Sequence, residues 1–189
     1  AFSQALAAVQ YIHYQRIAHR DIKPQNILRD SEGTIRLVDF GISVFVPEGT
    51  RRIPVEMALT PHFAPPEMFQ NAQYDPFAGD IWSLGVTLYN LLFNKLPFEG
   101  NSLFELQDSI KNKQPVYPED GDSDAIDLLK RMLTKNPKHR IKINEMWEHP
   151  YLNFMQSTSS MKSMLKVSSR IFESLSSSDT KNSVTRISR

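Results

Sequence analysis

The stretch HRDIKPQNIL, His19–Leu28, places Asp21, Lys23 and Asn26 at relative positions 1, 3 and 6, with Pro24 between the last two. Proline fixes its own φ and supplies no backbone donor, so the three polar side chains sit in a loop of restricted shape. That spacing makes sense for phosphoryl transfer. A carboxylate can orient and deprotonate a hydroxyl, a nearby lysine can neutralise charge on the moving phosphoryl group, and an asparagine oxygen can hold a metal ion. The same chemistry needs a second carboxylate to hold Mg²⁺ against nucleotide phosphates. Asp39 in VDFG, thirteen residues after Asn26, can supply it, and Gly41 lets the backbone turn sharply beside it. A DFG alone recurs by chance; the ordered pair is specific.

The rest of the chain suits such a role. Its 189 residues accommodate one domain with a real core, and 40% apolar with 23% charged residues is a globular composition. A formal charge of +1 gives no reason to expect nucleic acid or an anionic membrane as the main partner. With no cysteine, disulfides, thiolate catalysis and cysteine zinc sites are excluded, and a reducing compartment fits. No apolar run approaches the ~20 residues of a membrane span. The opening AFSQALAAVQ lacks the basic start and apolar core of a secretory signal, so the expected location is the cytoplasm, with the nucleus as alternative.

Hydrophobic spacing predicts a helix over residues 1–15, entered in mid-pattern, then two short strands, Ile27–Leu28 and Ile35–Val38, around an SEGT turn. Residues 42–66, proline-rich and without periodicity, are expected to form a long functional loop. GDIWSLGVTLYNLLF, 79–93, is apolar nearly all round and predicts a central buried helix. Further helices are expected near 102–111, 123–133 and 143–148. After Phe154 the composition shifts: residues 157–189 hold 15 Ser or Thr and neither Gly nor Pro, which predicts a mobile tail. The expected division is therefore 1–154 for the folded domain and 155–189 for the tail.

HRDIKPQN (19–26), DFG (39–41), TPHFAPPE (60–67), DIWSLG (80–85) and Arg140 in NPKHRI stand in the order and near the spacing of one family. The chain resembles the C-terminal lobe of a eukaryotic protein kinase over roughly residues 1–154. The resemblance implies a mainly α fold, a helical lobe with short β-strands at the catalytic and metal loops, binding ATP and Mg²⁺. It implies Asp21 as catalytic base, Lys23 as the phosphate-contacting lysine, and Asn26 and Asp39 as Mg²⁺ ligands. Thr60 would brace Asp21 and Lys23, His19 would stack on Phe40 behind the site, and Leu28 would lie beneath adenine. Glu67 and Arg140 would form a buried ion pair, and Asp80 would hold the catalytic-loop backbone. Asp80, Glu67, Arg140, His19 and Trp82 read as architecture.

Lys23 follows the Asp-x-Lys-x-x-Asn form of serine/threonine kinases, whereas tyrosine kinases carry Ala or Arg in that loop. Gln25, where kinases preferring basic substrates often carry Glu, gives no support for a strong Arg preference. In the family that the chain resembles, the Arg just before the catalytic Asp, here Arg20, often pairs with a phosphorylated residue of the activation segment, here between Gly41 and Thr60. Glu56 is the expected partner, ahead of a phosphorylated Thr50.

YIHYQRIAHRDIKPQNIL, DIWSLGVTLYNLLFNKLPFEG and MLTKNPKHRIKINEMWEHPYL are most similar to the calcium/calmodulin-dependent protein kinase kinases. That narrower resemblance implies a protein substrate that is itself a kinase, and calmodulin as a partner. In the tail, residues 160–175 set Met161, Met164, Leu165, Phe172 and Leu175 on one helical face, with Lys162, Lys166 and Arg170 mostly elsewhere. A helix packed on its own lobe and a plain Ser-rich linker are the competing readings of that segment.

The seven glycines, at 33, 41, 49, 79, 85, 100 and 121, form no Gly-x-Gly-x-x-Gly loop, and no strand lysine precedes the catalytic loop. The expectation is a catalytic lobe without its nucleotide-binding lobe, inactive alone. Two readings stay open: part of an active serine/threonine kinase, or a non-catalytic kinase-like lobe acting as a binding module. Asp21, Lys23, Asn26 and Asp39, all present, favour the first.

Overall fold

Phe2, Ala5, Leu6, Val9 and Ile12 recur every three or four residues, and in the computed structural model they are the buried face of α1, Phe2–Tyr14. The structure describes residues 1–56 and 60–156; the tail segment 160–175 lies outside the described residues. Ala1–Leu152 make up one compact unit. After β1, Ile17–Ala18, the chain makes a 3₁₀ turn at Pro24–Asn26 and enters a hairpin of β2, Ile27–Arg29, and β3, Ile35–Leu37. Ile27 pairs with Leu37 and Arg29 with Ile35, antiparallel. Asp30 shapes the turn, its Oδ1 accepting the amides of Glu32 and Thr34 at 3.1 and 2.8 Å.

The segment expected as a long loop is stitched down at several points. β4, Val44–Phe45, pairs with β1, and β5, Ile53–Pro54, pairs with β6, Gln73–Tyr74. Two 3₁₀ turns, Pro61–Phe63 and Pro66–Phe69, follow the prolines that start them. Val46, Ile53, Met68 and Tyr74 gather with Ala18 in a small core of their own. Two-residue ladders show no sequence period, which is why the segment reads as loop.

α2, Pro76–Phe93, runs through the centre with buried residues on every side, Asp80 and Ser83 included. It begins three residues before the predicted start. Asp75 caps it, its Oδ1 accepting the amides of Phe77 and Ala78 at 3.0 and 3.3 Å, and Pro76 occupies the first turn. Asn94, in the left-handed region at φ 52°, ends it. Gly85 is needed for packing: a Cβ there would lie 2.9 Å from the Met132 Cβ on α4, Ser123–Met132. α3, Leu103–Asn112, and α5, Ile143–Trp147, lie within the same unit, and α6, Pro150–Gln156, starts at its end. Among the described residues no helix is long and apolar enough to cross a membrane.

One core joins α1, α2 and α4 through Leu6, Val9, Leu84, Leu88, Leu128 and Met132. A second holds Trp82 stacked on Phe98, their centroids 5.5 Å apart. Lys135 closes this second core. Its Nζ sits 3.8 Å from the Phe98 centroid and donates to the Ile110 carbonyl at 2.6 Å. Burial, with Arg140 nearby, pushes its pKa down to about 8 from 10.5. Between those values the unfolded chain holds a proton that the folded chain has released, so Lys135 makes stability rise with pH across that window. The melting temperature of Lys135→Met, compared with the parent from pH 7 to pH 9.5, should therefore fall progressively behind. A constant difference across the range would show that Lys135 keeps an ordinary pKa.

Candidate active site

Asp80 reaches the loop from the second turn of α2. Its Oδ2 accepts the His19 amide at 2.8 Å and the His13 Nε2 at 2.8 Å, and its Oδ1 accepts the Arg20 amide at 2.8 Å. These bonds hold Arg20 in the left-handed region, φ 70°, a conformation that costs a non-glycine residue of order 1–3 kcal/mol. The strained turn sends the Arg20 guanidinium and the Asp21 carboxylate into different environments.

Asp21 stands in a closed network. Lys23 Nζ lies 2.7 Å from its Oδ2, Thr60 Oγ1 donates to its Oδ1 at 3.0 Å, and Lys23 Nζ also donates to Thr60 Oγ1 at 2.9 Å. Asn26, buried, donates its Nδ2 to the Asp21 carbonyl at 2.8 Å and to Oδ2 at 3.0 Å. Both amide hydrogens are thus committed to Asp21, which leaves the Asn26 carbonyl oxygen as the end that can take a cation. Thr60, thirty-nine residues from Asp21, is brought in by the turn at Pro61–Phe63.

The β2–β3 register carries Asp39 back to Asn26. Val38 N donates to the Asn26 carbonyl at 3.0 Å, so the next residue, Asp39, stands beside the loop despite the separation in sequence. Asp39 is exposed, has φ 64°, and accepts the Gly41 amide at 3.3 Å. An amide carbonyl and a free carboxylate are hard oxygen donors, the kind of set Mg²⁺ uses when phosphate and water supply its remaining ligands. No cluster of three His, Cys, Asp or Glu among the described residues competes for a metal.

His19 stacks on Phe40 with centroids 4.8 Å apart. Its Nδ1 accepts the Asp21 amide at 3.3 Å, which leaves Nε2 as donor to the Val38 carbonyl at 2.9 Å and fixes the tautomer. His19 therefore ties the Asp21 loop to the Asp39 loop. Leu28 is 51% exposed and Phe40 45%, so this side of the loops presents an uncovered apolar surface.

Arg20 donates from both Nη atoms to Glu56 Oε2, each at 3.1 Å, while its buried Nε has no partner among the described residues. Arg140 grips Glu67 as a fork at 2.7 and 2.8 Å and also donates to the carbonyls of Thr134, Ala78 and Lys135. Two contributors escaped sequence reasoning. His13, on the partly buried side of α1, bonds Asp80, and Ser43 Oγ donates to the His19 carbonyl at 3.3 Å. Neither carries a motif, and helical spacing alone gives no sign of a hydrogen bond.

The profile of the protein kinase domain matches residues 1–152. The chain belongs to the protein kinase family. Its relatives include the calcium/calmodulin-dependent protein kinase kinase cmkC of Emericella nidulans, 41% identical over 155 residues, covering 80% of this chain and 30% of that protein. The serine/threonine-protein kinase ppk34 of Schizosaccharomyces pombe is 40% identical over 155 residues, 80% of this chain and 43% of that protein. The serine/threonine-protein kinase TOS3 of Saccharomyces cerevisiae is 40% identical over 171 residues, 78% of this chain and 30% of that protein. The chain thus spans well under half the length of these kinases. Within a protein kinase domain, the network around Asp21 is the part able to handle a hydroxyl proton, and Asn26 with Asp39 the part able to hold a cation.

Proposed function

We propose that this chain is the large, C-terminal lobe of a serine/threonine protein kinase that uses ATP and Mg²⁺. The observation that carries the reading is the closed network of Asp21, Lys23, Thr60 and Asn26, with Asp39 brought beside it. Asp21 receives and orients the substrate hydroxyl and takes its proton. Thr60 and Asn26 hold that carboxylate in one orientation, and Lys23 places a positive charge where the phosphoryl group crosses. Mg²⁺, held by Asn26 and Asp39, would supply charge neutralisation to the phosphates. Leu28 and Phe40 offer apolar surface on which a nucleotide base and a second lobe can rest.

The glycine-rich cover for the phosphates has no counterpart among the seven glycines of this sequence, so the 189-residue chain by itself is expected to show no ATP turnover. The similarity to a kinase kinase supports a substrate that is itself a kinase. The same similarity, with the basic amphipathic pattern of 160–175, supports calmodulin as a regulator. In Arg20–Glu56, a carboxylate already occupies the place where a phosphate often sits.

The test uses a protein carrying these residues after a glycine-rich nucleotide-binding lobe, incubated with radiolabelled ATP, Mg²⁺ and a mixed protein substrate. Label is expected on Ser or Thr, dependent on Mg²⁺ and undiminished by prior phosphatase treatment. Phosphotyrosine, or label unaffected by chelator, would overturn the reading; collapse after phosphatase would move the Arg20 partner to Thr50.

A further inference from the structure

Two adjoining cavities, of about 450 and 290 Å³, open behind the activation segment and share Arg51, Asp75, Pro137, Lys138 and Lys142 in their walls. Arg16 lines the larger and Arg52 the smaller. Glu67 and Arg140, which also reach the walls, neutralise each other in their buried fork. What remains is five cations against the single carboxylate of Asp75, a local charge of +4 in a chain whose whole formal charge is +1.

The cations are not spent on other acids. Arg16 uses its guanidinium on three neutral carbonyls, those of Val46, Pro47 and Thr50, so it shapes the loop and keeps its full charge. Asp75 is engaged as the cap of α2, and its approach to Arg51 is 3.6 Å with the arginine side chain 83% exposed. Glu145, on the same turn as Lys142, is bound to the Lys142 amide at 3.0 Å at the start of α5. Arg52, Lys138 and Lys142 have no ion-pair partner among the described residues. Like charges held this close raise one another's energy, and an anionic occupant relieves it.

We propose that this cleft binds an acidic peptide segment of the protein substrate, a reading that rests on the kinase function proposed above. Charge complementarity selects the anion, and two linked cavities suit an extended chain whose alternate side chains enter each. Nucleic acid fits less well, because the phenyl and phenol rings in the walls are not open to stacking: Phe77 is covered by Arg16 at 5.2 Å and by His13 at 4.8 Å, and Tyr74 is buried. A membrane fits less well because none of the exposed large apolar side chains lines the cleft.

Fluorescence polarisation of a labelled Glu/Asp peptide on the 189-residue chain, without nucleotide, tests this. The expected result is saturable binding that weakens with added salt. It should fall about tenfold or more in Arg51→Ser/Lys138→Ser, and stay unchanged in Arg131→Ser, an exposed arginine paired with Asp127 elsewhere. Circular dichroism of the double variant should match the parent. No binding at millimolar peptide, equal binding by the double variant, or tighter binding of a single-stranded oligonucleotide of the same charge would overturn the proposal. Because no ATP is present, a chain that binds but belongs to an inactive protein overturns only the kinase reading. An active protein that fails to bind overturns only this one.

Discussion

Arg140→Met should destabilise the domain by about 3–5 kcal/mol, the cost of leaving a buried carboxylate without its counter-charge. Glu67 and Arg140 are each 3% exposed, and water cannot replace the lost partner at that depth. The arginine also donates to the carbonyls of Thr134, Ala78 and Lys135, and its guanidinium lies 5.0 Å from the Trp82 centroid. All of these go with it. Glu67→Gln should cost less, because Arg140 then keeps its three carbonyls and the face of Trp82. The double variant should fall well short of the sum of the singles, since each single leaves a stranded group that the other substitution removes. Urea denaturation of the four proteins measures this. Additive losses would mean that the two side chains contribute independently and that the fork has no special weight.

Asp39→Asn should abolish Mg²⁺-dependent transfer while leaving the melting temperature of this chain unchanged. Asparagine tolerates the left-handed φ of 64° and can still accept the Gly41 amide, so the local backbone has no reason to move. The substitution removes only the negative charge. Asp21→Asn should lower the rate by roughly 10²–10⁴-fold, the usual worth of a positioned general base. It exchanges an acceptor for an amide in a network where Lys23, Thr60 and Asn26 all donate. Activity is read in the protein that includes a nucleotide-binding lobe, stability in the 189-residue chain. Near-normal turnover by Asp39→Asn would end the assignment of Asp39 as a metal ligand.

The helices α1 to α5 and the β2–β3 hairpin were legible because each carries a period and a boundary; α6, only seven residues at Pro150–Gln156, was not expected. α1 announces itself by Phe2, Leu6 and Val9, and the hairpin by its apolar pairs around Asp30–Gly33. The three-residue error at the start of α2 has a plain cause: Gly79 and Asp80 separate Phe77 and Ala78 from the apolar run that starts at Ile81, whereas the helix begins at the Asp75–Pro76 cap. The ladders at β1–β4 and β5–β6 were not legible, since two residues cannot display alternation. At the site, Asp21, Lys23, Asn26 and Asp39 could be picked out from spacing, and Glu56 from its place in the segment. The bonds that hold them could not. His13 on Asp80 and Ser43 on the His19 carbonyl depend on which turns face each other, a property of the packed unit.

Asp80 has a bearing on how the molecule assembles. The amides it receives belong to residues sixty and sixty-one positions away, so these are contacts across a large loop, formed only after the entropy of closing it has been overcome. The carboxylate is itself buried within α2. The turn at Arg20 therefore depends on a distant side chain as well as on the local bonds of the loop. Its strained residue, Arg20, gains its anchor only once the central helix is seated against the loop. Loss of the Asp80 contacts, in a chain that has not yet seated α2, leaves the strained turn without its anchor.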